Sequence, residues 1–454
     1  MSKPIISVSG LRGIVGESLD PILASRYALA FAESLDSVSR DGAVLIGRDG
    51  RETGSMFADA IAAALMSAGF NVLYADVCAT PTVGVLVRAL NCSGGIQISA
   101  SHNPPEYNGM KLFGADGRVI SANEGQAVID LYEKNQFSFV PYSKIGTRAS
   151  VVDTTSVHLK SVLATVDVES IKKRRLKVVL DSNRGAGSLL AKPLFEALDC
   201  QFEILGDSPD GQFEHVPEPT AENLKGVAAR AKDFGADVVF CQDPDADRLA
   251  IIDEEGNYIG EEYTLAITLR HALSQSEEKG NVVINCATSR MSVDIAEEFG
   301  CKCIISAVGE ANVTNEMIAN DALYGGEGNG GPIDPRVGYV RDSFVAMAQT
   351  MDAMVKADMA ISKLAAAIPS YEIVKDKIQL DKEKVSAAFD VLEKHFSDAM
   401  PNRMDGLRLD FADSWLLIRA SNTEPIVRVI AEAKTSAAAK ALVETSKDMI
   451  ANLG

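Results

Sequence analysis

The chain has 454 residues, 46% hydrophobic and 24% charged, too many for one compact core and too apolar for long disordered stretches. Three or four domains are the expectation. The 44 basic residues against 63 acidic ones leave a net charge of −19, which argues against general binding to nucleic acid or to an anionic membrane.

An anionic ligand would therefore have to be held by local Arg and Lys side chains and a bound cation. The seven cysteines are odd in number and scattered, mostly within apolar runs, so a reducing compartment fits better than a disulfide framework. The opening MSKPIISVSG has no long apolar segment, and no run approaches the roughly 18 apolar residues of a membrane span. These features read as a cytoplasmic protein.

In chain order, one pattern recurs three times. A short apolar strand ends in polar turn residues, first at AVLIGRD (43–49), then at LKVVLDSN (176–183) and NVVINCATS (281–289). A helical stretch follows each, at SMFADAIAAALMSAG, GSLLAKPLFEAL and MSVDIAEEFG. A second strand comes next, at NVLYADV, FEILGD and CKCIISAV. Such alternation predicts βαβ units with mixed, largely parallel sheets. Each third then delivers an unusual loop: GIQISASHNPP (95–105), DVVFCQDPDADR (237–248) and ALYGGEGNGG (322–331). Ligands gather beyond the carboxyl ends of strands in open α/β sheets, so the three loops look like walls of one site. From about Ser370 the pattern changes to strands LRLDF, WLLIRA and PIVRVIAEA with a closing helix, an α+β unit. The predicted fold is α/β with four domains: 1–145, 155–256, 257–369 and 370–454.

Each loop has a chemical reading beside a plain one. In Ser101-His102-Asn103-Pro104-Pro105 the two prolines restrict the turn, which would fix a hydroxyl for attack; an ordinary strand-to-loop turn explains it as well. Asp243, Asp245 and Asp247 alternate behind an apolar strand, where they would repel one another without a hard cation. A helix–loop–helix calcium site is the rival, but Arg248 stands where such a loop needs glycine. The glycines around Glu327 and Asn329 let backbone approach a ligand closely, or simply make a turn. Arg419, Ser421 and Thr423 lie between two strands, as a phosphate cradle or a hairpin.

Together and in this order, SASHNPPEYNGMKLF, DPDADR, GGEGNGG and RASNTEP resemble the signature loops of the α-D-phosphohexomutase family, with SGLRG (9–13) and GRDGR (47–51) resembling motifs near its start. The resemblance implies three related α/β units and a C-terminal α+β unit around one central cleft. It implies Ser101 as the phosphorylated residue, and Asp243, Asp245, Asp247 and the Ser101 phosphate as ligands of Mg2+. Glu327 and Asn329 would face the sugar. Arg419, Ser421, Asn422, Thr423 and Arg428 would hold the far phosphate. Arg12, His102, Lys111 and Arg248 would surround the reacting centre.

The implied reaction interconverts hexose 6-phosphate and hexose 1-phosphate, with hexose 1,6-bisphosphate as intermediate and activator. Such transfer needs charge neutralisation and in-line positioning. Lys111, ten residues past Ser101, is the first choice for general base and would need a lowered pKa; His102 is the alternative. Many bacterial relatives carry Ser and His where this chain has Asn329 and Gly331. Glucosamine phosphate is the favoured sugar, with mannose and glucose phosphates the alternative. The rival classes are a non-catalytic sugar-phosphate binding protein and a metal-dependent phosphatase. The protein is expected to act as a monomer or homodimer.

Overall fold

A computed structural model describes residues 3–36, 42–420 and 426–452. Its strands form four sheets. The first has seven strands. Val44–Arg48 pairs in parallel with Val72–Val77 on one side and Gly94–Ile98 on the other, as the apolar patterning requires. Tyr107–Gly114 returns antiparallel beside Gly94–Ile98, and Gly10–Ile14 pairs antiparallel with that returning strand. Lys111 thus sits opposite Gln97 on one neighbour and Gly10 on the other, in the middle of the returning strand.

The second and third sheets repeat the plan with four strands each. Lys177–Asp181 lies parallel to Gln201–Leu205 and to Val238–Gln242. Asn281–Asn285 lies parallel to Lys302–Ser306 and to Ala322–Glu327. Nearly every residue of the central strands is buried, because helices cover both faces of a parallel sheet. The second and third units share one apolar core, in which Phe195, Phe240, Phe344 and Met351 are all buried.

The fourth sheet is antiparallel, with Glu372–Gln379 paired along its length with Ile426–Ala433 and the helix Ser436–Ala451 packed across it. It is fastened to the third unit by Glu432, a fully buried carboxylate that accepts from Trp415 Nε1 and from the Arg290 amide, both at 2.8 Å. Arg408 adds a bond from Nη1 to the Cys286 carbonyl at 2.5 Å. These links seat the fourth sheet beside the carboxyl end of the strand Asn281–Asn285. No helix among the described residues is long and apolar enough to cross a membrane.

Candidate active site

The serine loop is built from the first unit alone. Ser101 is 4% exposed and takes φ 49°, a left-handed conformation that L-residues adopt at a cost. Its amide donates to Ser99 Oγ at 2.9 Å, and Ser99 Oγ donates to Asp49 Oδ2 at 2.7 Å. Arg51, 1% exposed, completes the frame. Its guanidinium donates to the carbonyls of Ser101 (2.7 Å), Asn103 (2.6 Å), Pro104 (2.6 Å) and Tyr107 (3.0 Å), and to Asp49 at 3.1 Å. Asp49 and Arg51 belong to the GRDGR motif, and sequence reading gave them no role. Arg12 closes the loop through Nη1 to Asn103 Oδ1 at 2.6 Å.

The acidic loop of the second unit meets this frame directly. Ser101 Oγ donates to Asp243 Oδ2 at 2.7 Å. Asp243, Asp245 and Asp247 are each fully buried, and one oxygen from each lies within 4.8 Å of the others. Ala246, at φ 56°, folds the chain back between the last two. Burial, then repulsion from Asp245 and Asp247, pushes the Asp243 carboxyl well above the usual range. Burial opposes charge on Asp247 too, but Arg341, Lys111 and Arg248 outweigh it and hold that carboxyl well below the usual range. Asp245 Oδ1 and Asp247 Oδ1 are buried without a hydrogen-bond partner. Three buried carboxylates with an oxygen of each within 4.8 Å, two of them carrying an unpaired oxygen, fit a hard divalent cation with oxygen ligands, so the donor set suits Mg2+.

Lys111 lies against the acidic loop. A base there needs a lowered pKa; burial pulls that way, while Asp247, Asp245 and Glu310 raise the ammonium above its ordinary value, two of them being the carboxylates whose charge a bound cation would share. Its Nζ lies 2.8 Å from Asp247 Oδ2 and 3.4 Å from Asp245 Oδ2. His102 has the opposite character. Burial, then Arg248 and Arg12, lowers its imidazole to about 3, and Nδ1 lies 3.3 Å from Ser101 Oγ. Arg248 donates its amide to Asp243 Oδ1 at 3.2 Å; its Nε is buried, unpaired and 3.8 Å from Asp247.

The third wall is the glycine segment. Gly330 takes φ 81°, and its carbonyl accepts the Leu249 amide at 2.9 Å, which pins this loop to the chain just beyond the acidic one. Glu327 is 3% exposed. Its Oε1 accepts from Asn285 Nδ2 at 2.7 Å and from the Gly309 amide at 3.0 Å, and its Oε2 accepts from Arg341 Nη1 at 2.5 Å. Arg341 carries no motif signal, and its contacts span 14 and 94 residues of chain. Glu327, Asn329, Asn285, Glu262, Lys375 and Arg428 line a cavity of about 580 Å³. Asn329 Oδ1 is buried there without a partner. Burial pushes the Glu262 carboxyl up to about 8.

A second cavity of about 480 Å³ is lined by Ser101, Arg12, Lys111, Asp245, Arg419 and Arg428. Arg419 and Arg428 are cross-strand partners in the fourth sheet, and Arg428 borders both cavities. Arg419 Nε pairs with Asp405 at 2.8 Å. Ser421, Asn422 and Thr423 lie outside the described residues. The structure thus brings together residues of all four units around two cavities that share Arg428: Ser101 and Asp245 face one, and Glu327 and Asn329 face the other.

Comparison with known proteins agrees with this arrangement. Four family models match in sequence along the chain: phosphoglucomutase/phosphomannomutase alpha/beta/alpha domain I at 4–139, domain II at 156–256, domain III at 260–371 and the C-terminal domain at 373–448. A "Phosphoglucomutase/phosphomannomutase" of Thermococcus kodakarensis is 35% identical over 96% of both chains. A "Probable phosphoglucosamine mutase" of Methanopyrus kandleri is 30% identical over 97% of this chain and 96% of that one. The crystal structure of a phosphoglucomutase/phosphomannomutase family protein from Burkholderia thailandensis superposes with a TM-score of 0.87 at 25% identity, covering 99% of this chain and 97% of that one. With all four domains matched in order, the chain belongs to the phosphoglucomutase/phosphomannomutase family of phosphohexomutases.

Proposed function

We propose that the protein carries a phosphoryl group on Ser101 and moves it between the 1- and 6-hydroxyls of a hexose phosphate, with glucosamine phosphate the preferred sugar. The observation that carries this reading is the 2.7 Å bond from Ser101 Oγ to Asp243, within a loop clamped by Arg51 and beside two unpaired carboxylate oxygens. Asp243, Asp245 and Asp247 would hold Mg2+ with the Ser101 phosphate, and the bound ion would neutralise charge on the group being transferred.

The sugar hydroxyl attacks the phosphorus of phosphoserine, the Oγ–P bond breaks, and a bisphosphate remains beside a free Ser101. The proton of the attacking hydroxyl goes to Lys111 or to His102, whose ring stands 3.3 Å from Oγ, and the departing Ser101 Oγ takes a proton in turn. Arg12 and Arg248 hold the transferring group by charge. The bisphosphate then turns end for end. Ser101 Oγ gives up its proton and attacks the opposite phosphorus, the sugar O–P bond breaks and that sugar oxygen takes up a proton, which restores phosphoserine and frees the isomerised monophosphate. Two phosphate sites are required, at Ser101 and near Arg419 and Arg428, and both groups of residues line one cavity.

Glu262 favours an amino sugar. It lines the cavity of Glu327 and Asn329, and burial penalises its charge, a penalty that a sugar ammonium would relieve. The name of the Methanopyrus relative points the same way. The name of the Thermococcus relative supports glucose and mannose phosphates as the second reading.

A coupled assay comparing glucosamine, glucose and mannose phosphates side by side tests the sugar. Higher kcat/KM for glucosamine 6-phosphate is expected; a clear preference for either neutral sugar overturns that part. Intact-mass analysis should find phosphate on Ser101, and chelation should abolish activity that added magnesium restores. A fully active Ser101→Ala variant, or stoichiometric release of free phosphate, would sink the mutase mechanism.

A further inference from the structure

We propose that Arg341 is a positioning residue that ties the sugar-facing carboxylate Glu327 to the metal-loop carboxylate Asp247, so that a change at one is felt at the other. The inference rests on the site reading above. One guanidinium joins the two carboxylates: Nη1 donates to Glu327 Oε2 at 2.5 Å and Nη2 to Asp247 Oδ2 at 2.6 Å. The side chain is 8% exposed, and a third carboxylate, Glu310, lies 3.7 Å from Nε.

The arrangement orients both carboxylates. Arg341 and Lys111 both occupy Asp247 Oδ2, which leaves Oδ1 without a hydrogen-bond partner. At Glu327, Arg341 adds a third donor to those of Asn285 and Gly309. A carboxylate offers about four lone-pair positions, so one remains for a sugar hydroxyl. The chain also makes room for this bridge. A Cβ on Gly331 would lie 2.4 Å from Arg341 Cδ and 2.8 Å from Cγ, so any side chain at 331 would displace the arginine stem. A planar fork with fixed donor directions can bridge two carboxylates; an ammonium on a flexible stem acts as a point charge and favours one.

Coupling of this kind is measured by a double-mutant cycle. The probe is Mn2+, titrated calorimetrically into the full-length protein in one phosphorylation state. Glu327→Gln removes one of the anions that share the guanidinium, so Arg341 should press harder on Asp247. Mn2+ affinity should fall by at least about threefold, although Glu327 is not a metal ligand. In an Arg341→Met background the same Glu327→Gln change should have almost no effect. Arg341→Lys, which keeps a charge, supplies the cycle if the Met variant does not fold. An equal factor in both backgrounds, or no effect of Glu327→Gln in the parent, overturns the coupling. Mn2+ binding that ignores Asp247→Asn would instead overturn the metal-site reading on which the coupling depends.

Discussion

Arg419 donates through Nε to Asp405 Oδ1 at 2.8 Å, while the other oxygen of Asp405 accepts the Val308 amide at 2.9 Å. The arginine assigned to the far phosphate is therefore held by a carboxylate that also grips the third unit. Arg419→Ala should weaken substrate binding by about 1.5–3 kcal/mol, the range for a charge-assisted contact. KM should rise for the monophosphates. The bisphosphate should also escape more often before turning, leaving Ser101 without phosphate. Steady-state rates titrated with hexose 1,6-bisphosphate should show a stronger dependence than in the parent. An unchanged KM and an unchanged bisphosphate requirement would place the far phosphate elsewhere.

Arg51 should govern catalysis without touching the sugar. It fixes the serine loop through four carbonyls, and a lysine cannot reproduce that planar set of donors. Arg51→Lys should lower kcat by about 100-fold, the scale of a small misplacement of reacting groups, with KM little changed. A variant with parental kcat would show that the loop holds its shape unaided.

Glu262 gives stability a pH dependence of defined sign. Its folded carboxyl titrates near 8, against 4.5 as the ordinary value. Between those values the native state keeps a proton that the unfolded chain has released. Its contribution is therefore complete below about pH 4.5 and lost as pH rises through 8. Glu262→Gln should remove this dependence, gaining about 3–4 kcal/mol relative to the parent between pH 5 and pH 8. Urea unfolding at the two pH values measures it; parallel curves for both proteins would refute the assignment.

Trp415 Nε1 satisfies Glu432 at the seat of the fourth unit. Trp415→Phe keeps most of the apolar contact but removes that donor, so it should cost about 1–3 kcal/mol. The loss should appear as a lower Tm. If the Tm holds, the Arg290 amide alone suffices for Glu432.

The reactive loops were legible because their chemistry demands particular residue types at strand ends: a hydroxyl held by prolines, alternating carboxylates, and glycines. The parallel strands were legible from continuous apolar runs such as VVFC and VVIN. What supports the loops was not. Arg51 and Arg341 act across 50 to 94 residues of chain, where no local pattern connects donor to acceptor. The setting of Lys111 was hidden for the same reason, since its closest carboxylate partner is Asp247, 136 positions away. The strand Glu372–Gln379 is rich in charge, and its place in the sheet comes from its partner Ile426–Ala433.

The left-handed backbone at Ser101 narrows what evolution can put there. Threonine offers the same hydroxyl chemistry, yet its branched Cβ is poorly tolerated at that φ. Glycine suits the backbone and carries no oxygen. Serine is the small L-residue that meets both demands, so a lineage that loses it has no gradual substitute and must return to serine or give up a hydroxyl at this turn altogether.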